Sequence, residues 1–264
     1  MTRMQFLTCV GVVLASVPAF AADSTLVVDR GLPQINLNNS SGPVRSNVRW
    51  SWHDQGFVGD SFTLGAPGER WVIDSIRTWT VPGSAEDQAN QLGDFYQDVR
   101  LYFGRSHSDL TPVRAASLAQ GSSDTGNPDV QATDASESGS ILYDDFGTGL
   151  RIWQVEFSNL NLVVDGGATY RFGVWGNGRS IAGMPGKNYQ WFNHASAAAL
   201  SGAPQDSADG VRLLFDAGGR YQGTFDTNGS GWDKSADINV QVFAHPVRSA
   251  SGRVSAGSAT AQMR

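Results

Sequence analysis

Tyr170-Arg171-Phe172-Gly173-Val174-Trp175 is the stretch that decides the fold. Tyr170, Phe172 and Val174 fall on one side of an extended chain, and Arg171, Gly173 and Trp175 fall on the other. That is the period-two pattern of a strand with one face buried. The same alternation sets Val99, Leu101 and Phe103 apart from Arg100, Tyr102 and Gly104, and Trp153, Val155 and Phe157 apart from Gln154 and Glu156. It returns in Ile238, Val240, Val242 and Ala244. Further strands are expected at 25–29, 48–53, 57–64, 71–81, 160–164, 189–193, 211–216 and 220–225. Gly65-Ala66-Pro67-Gly68, Val81-Pro82-Gly83, Asp165-Gly166-Gly167 and Ala217-Gly218-Gly219 supply the turns between them. Helix is confined to a turn or two at 84–92 and 195–200. So many short strands with Gly/Pro punctuation predict an all-β chain, a two-sheet β-sandwich that is jelly-roll-like and forms a single domain.

Composition agrees. Only 17% of the 264 residues are charged and 31 are glycine, against a usual quarter charged and about 7% glycine. The acidic residues are nearly all aspartate, with glutamate only at Glu69, Glu86, Glu137 and Glu156. Glutamate favours helices, whereas aspartate favours turns and caps.

The ends suggest export. Arg3 precedes an apolar run from Phe6 to Val17, Pro18 breaks it, and Ala19-Phe20-Ala21 offers the small-x-small pattern of a cleavage site. Residues 1–21 are therefore expected to be a cleaved signal peptide, since a membrane span needs about 20 apolar residues. Cys9, the one cysteine, leaves with it. The domain proper, 22–245, then has neither a disulfide nor a cysteine-based metal site. A chain this long buries about 70–75% of its unfolded surface without such staples. The polar tail, 246–264, is expected to stay disordered. Losing Arg3 takes the formal charge from −6 to −7, and no basic stripe is present. Nucleic acid and anionic membrane surfaces are thus excluded as expected partners. The expected location is secreted or periplasmic.

Three stretches carry a family likeness. Gly59-Asp60-Ser61-Phe62-Thr63-Leu64 leads into Trp71-Val72-Ile73-Asp74-Ser75-Ile76, and Ile152-Trp153-Gln154-Val155-Glu156-Phe157 follows mid-chain. Gly231-Trp232 then precedes Asp237-Ile238-Asn239-Val240-Gln241-Val242-Phe243. The chain resembles the exported bacterial β-sandwich domains of the choice-of-anchor and PEP-CTERM-associated type over residues 45 to 245. The resemblance implies the fold and the compartment but no catalytic residues. There is no Pro-Glu-Pro motif, hydrophobic tail or sortase-type signal, so no membrane anchor is expected.

Two constellations suggest ligands. Residues 226–237 place Asp226, Asn228 and Ser230 at positions 1, 3 and 5, Gly231 at 6 and Asp237 at 12, the spacing of an EF-hand-type calcium loop. The same residues also suit an ordinary Gly/Asn/Ser turn. Trp175 points away from the buried trio of its strand and stands beside Arg171, an aromatic plane with a polar flank that suits a sugar ring. Trp52 either shares that role or joins Trp50 in the core. Glu156 lies on a solvated sheet face near Arg171, or pairs with Asp144 or Asp145 as the carboxylates of a glycosidase. Lys187, Tyr189 and His194 lie close together in sequence, as a lyase cluster would. The four histidines share no metal or catalytic spacing, and no nucleophile elbow or phosphate loop is present.

The expected function is therefore a non-catalytic recognition or matrix module that binds extracellular polysaccharide through exposed aromatics. The alternatives are a polysaccharide hydrolase or lyase, and a structural cell-surface or biofilm protein with no small-molecule site.

Overall fold

A computed structural model describes residues 23–32, 48–51, 56–82, 91–135, 143–145, 148–189, 191–194, 211–215, 221–225 and 238–247. Among them the chain is mostly strand with almost no helix, in two antiparallel sheets. The first sheet runs β1 (Thr25–Asp29), β16 (Val240–Pro246), β4 (Arg70–Pro82), β10 (Trp153–Phe157) and β7 (Val130–Asp134). Also in it, β11 (Leu162–Asp165) pairs with β4, and β13 (Trp191–His194) pairs with both β4 and β2 (Val48–Ser51). The second runs β15 (Tyr221–Phe225), β14 (Val211–Phe215), β3 (Gly56–Thr63), β12 (Thr169–Gly178), β5 (Tyr96–Gly104) and β6 (Thr111–Ser117). A separate ribbon joins β8 (Tyr143–Asp145) to β9 (Thr148–Leu150). The first strand neighbours the last, and β3, β4 and β5 change sheet at every step.

The alternation that identified the strands also fills the interior. Ile73 and Ile76 from β4, Val155 and Phe157 from β10, and Val240 and Val242 from β16 meet Phe62, Leu101, Phe172 and Val174 from the second sheet in one core cluster. Each such side chain taken fully out of water contributes about 1.5–3 kcal/mol. Phe62 packs on Phe172 and Phe103 with ring centroids 5.6 and 6.2 Å apart. Tyr170 stacks on Phe103 at 5.4 Å and 10°.

Charge also enters the interior at one end. Arg30, just after β1, places Nη1 2.8 Å from Asp60 Oδ2, and both side chains are almost wholly buried. Asp60 accepts the backbone N–H groups of Ile238 (2.7 Å) and Ser61 (2.7 Å). Asn239 donates to the carbonyls of Arg30 and Gly31, and its Oδ1 lies 2.6 Å from His194 Nδ1. Buried polar groups must find partners, and here they find them across both sheets.

Three elements differ from the sequence expectation. Helix is a single turn, α1 (Leu92–Phe95), plus a 3-10 turn at His107–Asp109; residues 83–90 and 195–200 lie outside the described residues. β6 was not expected because Pro112 interrupts it. As the outermost strand of its sheet it tolerates a residue without an N–H, and the register slips at that point. The small-residue stretch from 115 to 140, expected to be a long surface loop or one with a weak strand near Val130–Thr133, does contain β7, and its 118–129 part is stitched by its own side chains. Ser122, Asp124, Thr125 and Asn127 each accept the backbone N–H two residues on, the Asx- and ST-turn pattern. At the end of the domain, β16 outruns the boundary expected at residue 245. It reaches Pro246, and the Val247 N–H still donates to the Arg70 carbonyl at 2.8 Å.

Candidate functional site

The core separates the residues that the sequence suggested as one binding face. Glu156 leaves the outer face of the first sheet. Its carboxylate takes two bonds from Arg77, at 3.0 and 2.8 Å. Arg77 passes a third to Gln241 (3.1 Å), which donates to Asp29 (3.3 Å). The register places Glu156, Arg77, Gln241 and Asp29 on one rung across four strands. Glu156 therefore has Arg77, not Arg171, as its partner. Asp144 and Asp145 belong to the separate ribbon, so β10 does not pair with them.

Trp175 and Arg171 leave the outer face of the second sheet, from β12. Trp175 is half-buried rather than free-standing. Its register partner on β5 is Arg100, whose guanidinium lies 4.9 Å from the ring centroid, a cation–π contact. Asp98 holds that guanidinium through Arg100 Nε at 2.6 Å and accepts from Asn177 Nδ2 at 3.0 Å. Burial works against the charge on Arg100, but the hydrogen bond and charge of Asp98, with Tyr102 adding to them, leave its pKa above the ordinary arginine value. The indole Nε1 of Trp175 is shut off from solvent and makes no hydrogen bond to the described residues. One face of the expected sugar platform is thus already occupied. Trp52 and the expected calcium ligands Asp226, Asn228, Ser230 and Asp237 lie outside the described residues. Among the described residues no group of three or more His, Cys, Asp or Glu could hold a metal ion.

An open cleft that the sequence reading did not anticipate lies farther along the same end of the second sheet. Its volume is about 610 Å³, and Asp94, Gln97, Gln120, Arg179, Ser180, Ala182 and Tyr189 line it. A bulge sets up its floor. Opposite β5, the register of β12 slips between Asn177 and Gly178, pairing Asp98 and then Tyr96 and leaving Gln97 as the extra residue. Gln97 is exposed, whereas Tyr96 beside it is fully buried.

The walls depend on two close approaches. A Cβ on Gly178 would overlap the carbonyl oxygen of Tyr189, and one on Gly93 would overlap the carbonyls of Ala119 and Ser122. The chain after β12 therefore lies directly on the strand, and the 118–129 segment lies directly on α1. That chain makes a tight excursion from Arg179 to Tyr189. Tyr189 donates to the Arg179 carbonyl (2.9 Å) and Ile181 to that of Lys187 (2.9 Å), while Ser180 bridges to Asn188. Gly183 and Gly186, both at φ 74°, turn its tip.

The lining side chains are fixed to different degrees. Tyr189 packs its ring edge-to-face on Phe95 at 5.2 Å. Arg179 donates Nε to the Gly93 carbonyl (2.6 Å) and Nη2 to that of Leu118 (2.7 Å), tying α1 to the end of β6. Asp94 takes the N–H of Gln91 on one oxygen (2.9 Å) and that of Gly121 on the other (2.8 Å). Gln97, Gln120 and Ser180 are exposed. Two amides, a hydroxyl, a guanidinium edge and a rigid aromatic ring together offer both donors and acceptors over an apolar surface, the chemistry that meets a polyhydroxylated ring.

Of the other sequence candidates, Tyr189 joins the cleft, Lys187 is exposed on the excursion, and His194 is buried against Asn239. A signal for the cleft existed in Gly176-Asn177-Gly178 at the end of a strand, where glycine marks a bulge or a close backbone approach. Comparison of the chain with protein-family models, with curated proteins and with solved structures finds no match in any of the three.

Proposed function

We propose that the protein is an exported, non-catalytic module that binds extracellular polysaccharide in the cleft at the Gln97 end of the second sheet, with Trp175 and Arg171 farther along the same face. One observation carries this reading. Exposed amides and a hydroxyl converge with a rigid tyrosine ring in an open space of about 610 Å³, large enough for two or three sugar rings by the usual scale of ligand pockets, about 300–1,000 Å³. The crossing of successive strands between sheets, with the first strand beside the last, supports a jelly-roll wiring for the domain. The single-domain and secreted readings rest on the N-terminal segment and the composition.

The catalytic alternative finds no support in this cleft. Among the described residues Asp94 is the only carboxylate in its lining, and both its oxygens accept backbone N–H groups. A glycosidase needs two carboxylates about 5–10 Å apart across the bond.

Affinity electrophoresis against a polysaccharide panel tests the reading. Gln97→Ala should weaken retardation about five- to tenfold, the worth of about 1 kcal/mol or slightly more in lost hydrogen bonding, without changing the melting temperature. Glu156→Gln, on the opposite sheet, should leave retardation unchanged. A chelator arm reads the proposed calcium loop, because a metal held only by the folded state must raise the melting temperature. Retardation untouched by Gln97→Ala would remove the cleft from consideration, and release of reducing ends would move the protein into the hydrolase class.

A further inference from the structure

The cleft holds a guanidinium that no carboxylate among the described residues engages. Arg30, Arg77, Arg100, Arg105, Arg114 and Arg151 each have a carboxylate within ion-pairing distance. Arg179 has none among the described residues: its two hydrogen bonds go to backbone carbonyls, through Nε and Nη2. The Nη1 group, with two N–H donors, makes no bond to the described residues, and the side chain is only half-buried along the cleft wall. Asp94 in the same lining offsets one positive charge, but its oxygens accept the Gln91 and Gly121 N–H groups and form no ion pair with Arg179. Lys187, two residues before Tyr189 on the returning arm of the same excursion, is an exposed second cation with no ion pair among the described residues, so the cleft and its rim carry two cations against one carboxylate. In a chain of net charge −6, this is a local excess of the opposite sign.

Resting on the reading of the cleft as a polysaccharide site, we propose that its ligand is an acidic polysaccharide whose ring oxyanion, carboxylate or sulfate, is taken by Arg179 with Lys187 at the rim. A guanidinium already fixed by two neutral acceptors is preorganised. It loses little side-chain freedom when an anion arrives, and a charge-assisted bond is about twice as strong as a neutral one. Neutral hydroxyls of the same chain would fall to Gln97, Gln120 and Ser180.

The test compares polygalacturonate, dextran sulfate and neutral dextran as ligands of the full chain. The acidic probes should bind about tenfold more tightly than dextran, the worth of one charge-assisted hydrogen bond. That advantage should shrink several-fold between about 50 and 300 mM salt, as exposed charges are screened. Arg179→Gln should abolish the preference and leave the weaker dextran binding in place. Because that change also removes two bonds to the backbone, Lys187→Gln serves as the second variant. It is exposed, and should cost the acidic probes about two- to threefold and dextran nothing. Whichever acidic probe binds more tightly identifies the oxyanion. Equal binding of acidic and neutral probes would overturn the charge assignment and leave the cleft standing. Binding of dextran sulfate that neither variant changes would mark a polyanion effect elsewhere and overturn it as well. Absence of binding to every probe would remove the cleft reading itself.

Discussion

Residues on these sheets owe their roles to parity and to what stands beside them, and only parity is written in the sequence. Trp175 shows both parts. Its outward direction followed from Tyr170, Phe172 and Val174, which are buried. Its partner did not follow, because Arg100 lies 75 residues upstream and reaches it only through the pairing of β12 with β5. Tyr96 is a clearer case of position overriding residue type. The strand register drives its phenol into the core, where it is wholly inaccessible and stacks against Trp191 at 4.9 Å. Burial raises its pKa far above the ordinary value of 10.0, and a hydrogen bond with Thr80 only partly opposes this. The sign of the pH dependence follows. The unfolded chain releases this proton near pH 10 and the folded chain keeps it, so the stabilisation is complete below pH 10 and declines above it. The slope for one such group is about 1.4 kcal/mol per pH unit. Urea titrations between pH 8 and about 11 should show that decline in the native protein and a shallower one in Tyr96→Phe. Parallel slopes in the two proteins would show that the alkaline limb belongs to other groups.

Whole strands and turns were easier to read than the contacts between them. Every strand with clean alternation and good turn residues was expected within a few positions. β6 was missed because Pro112 argues against a strand unless its edge location is already known. The 118–129 segment was misjudged because small polar residues suggest looseness when counted, but order when each side chain closes a turn on the backbone two residues on. The cleft arises from both. It needs the bulge at Gln97, the stitched segment behind Gln120 and the excursion lying on Gly178. That last contact is backbone against backbone, so no side-chain rotation relieves it. Gly178→Ala should force the excursion off β12, lower stability by about 1–3 kcal/mol as overpacking does, and speed hydrogen exchange at the Tyr189 N–H now bonded to Arg179. Binding in the cleft should fall with it, while exchange along β16 on the other sheet stays unchanged. Unaltered exchange at Tyr189 would mean that the excursion does not depend on this contact.

At the scale of the molecule, the question is what closes two sheets over one core when the domain has no disulfide. Hydrophobic burial brings the sheets together without choosing which strands meet at the ends. One buried ion pair ties those ends together. Arg30 continues from β1 in the first sheet, Asp60 sits in β3 of the second, and the Ile238 N–H that Asp60 accepts leads into β16. Asp60 thus joins the first strand, the last strand and the opposite sheet. Its place was legible in part: counting back by twos from Leu64 and Phe62 puts Asp60 on the inward face. An inward aspartate must have a cation or several donors, but the sequence does not say which cation. Replacing it by alanine leaves the Arg30 charge buried without its counter-charge and the Ile238 N–H without its acceptor. Breaking one side of such a pair costs about 3–5 kcal/mol, more than the pair itself contributes over a well-packed apolar substitute. Urea unfolding of Asp60→Ala should therefore show a free energy lowered by that amount, read as a lower midpoint with the slope preserved, since the surface exposed on unfolding is the same. If the ion pair closes the domain, the joint change of Arg30 to Met and Asp60 to Leu recovers most of the loss, because it removes both charges and fills the space. A double substitution as unstable as the single one would place the cost in the backbone bonds to Ile238 and Ser61 instead.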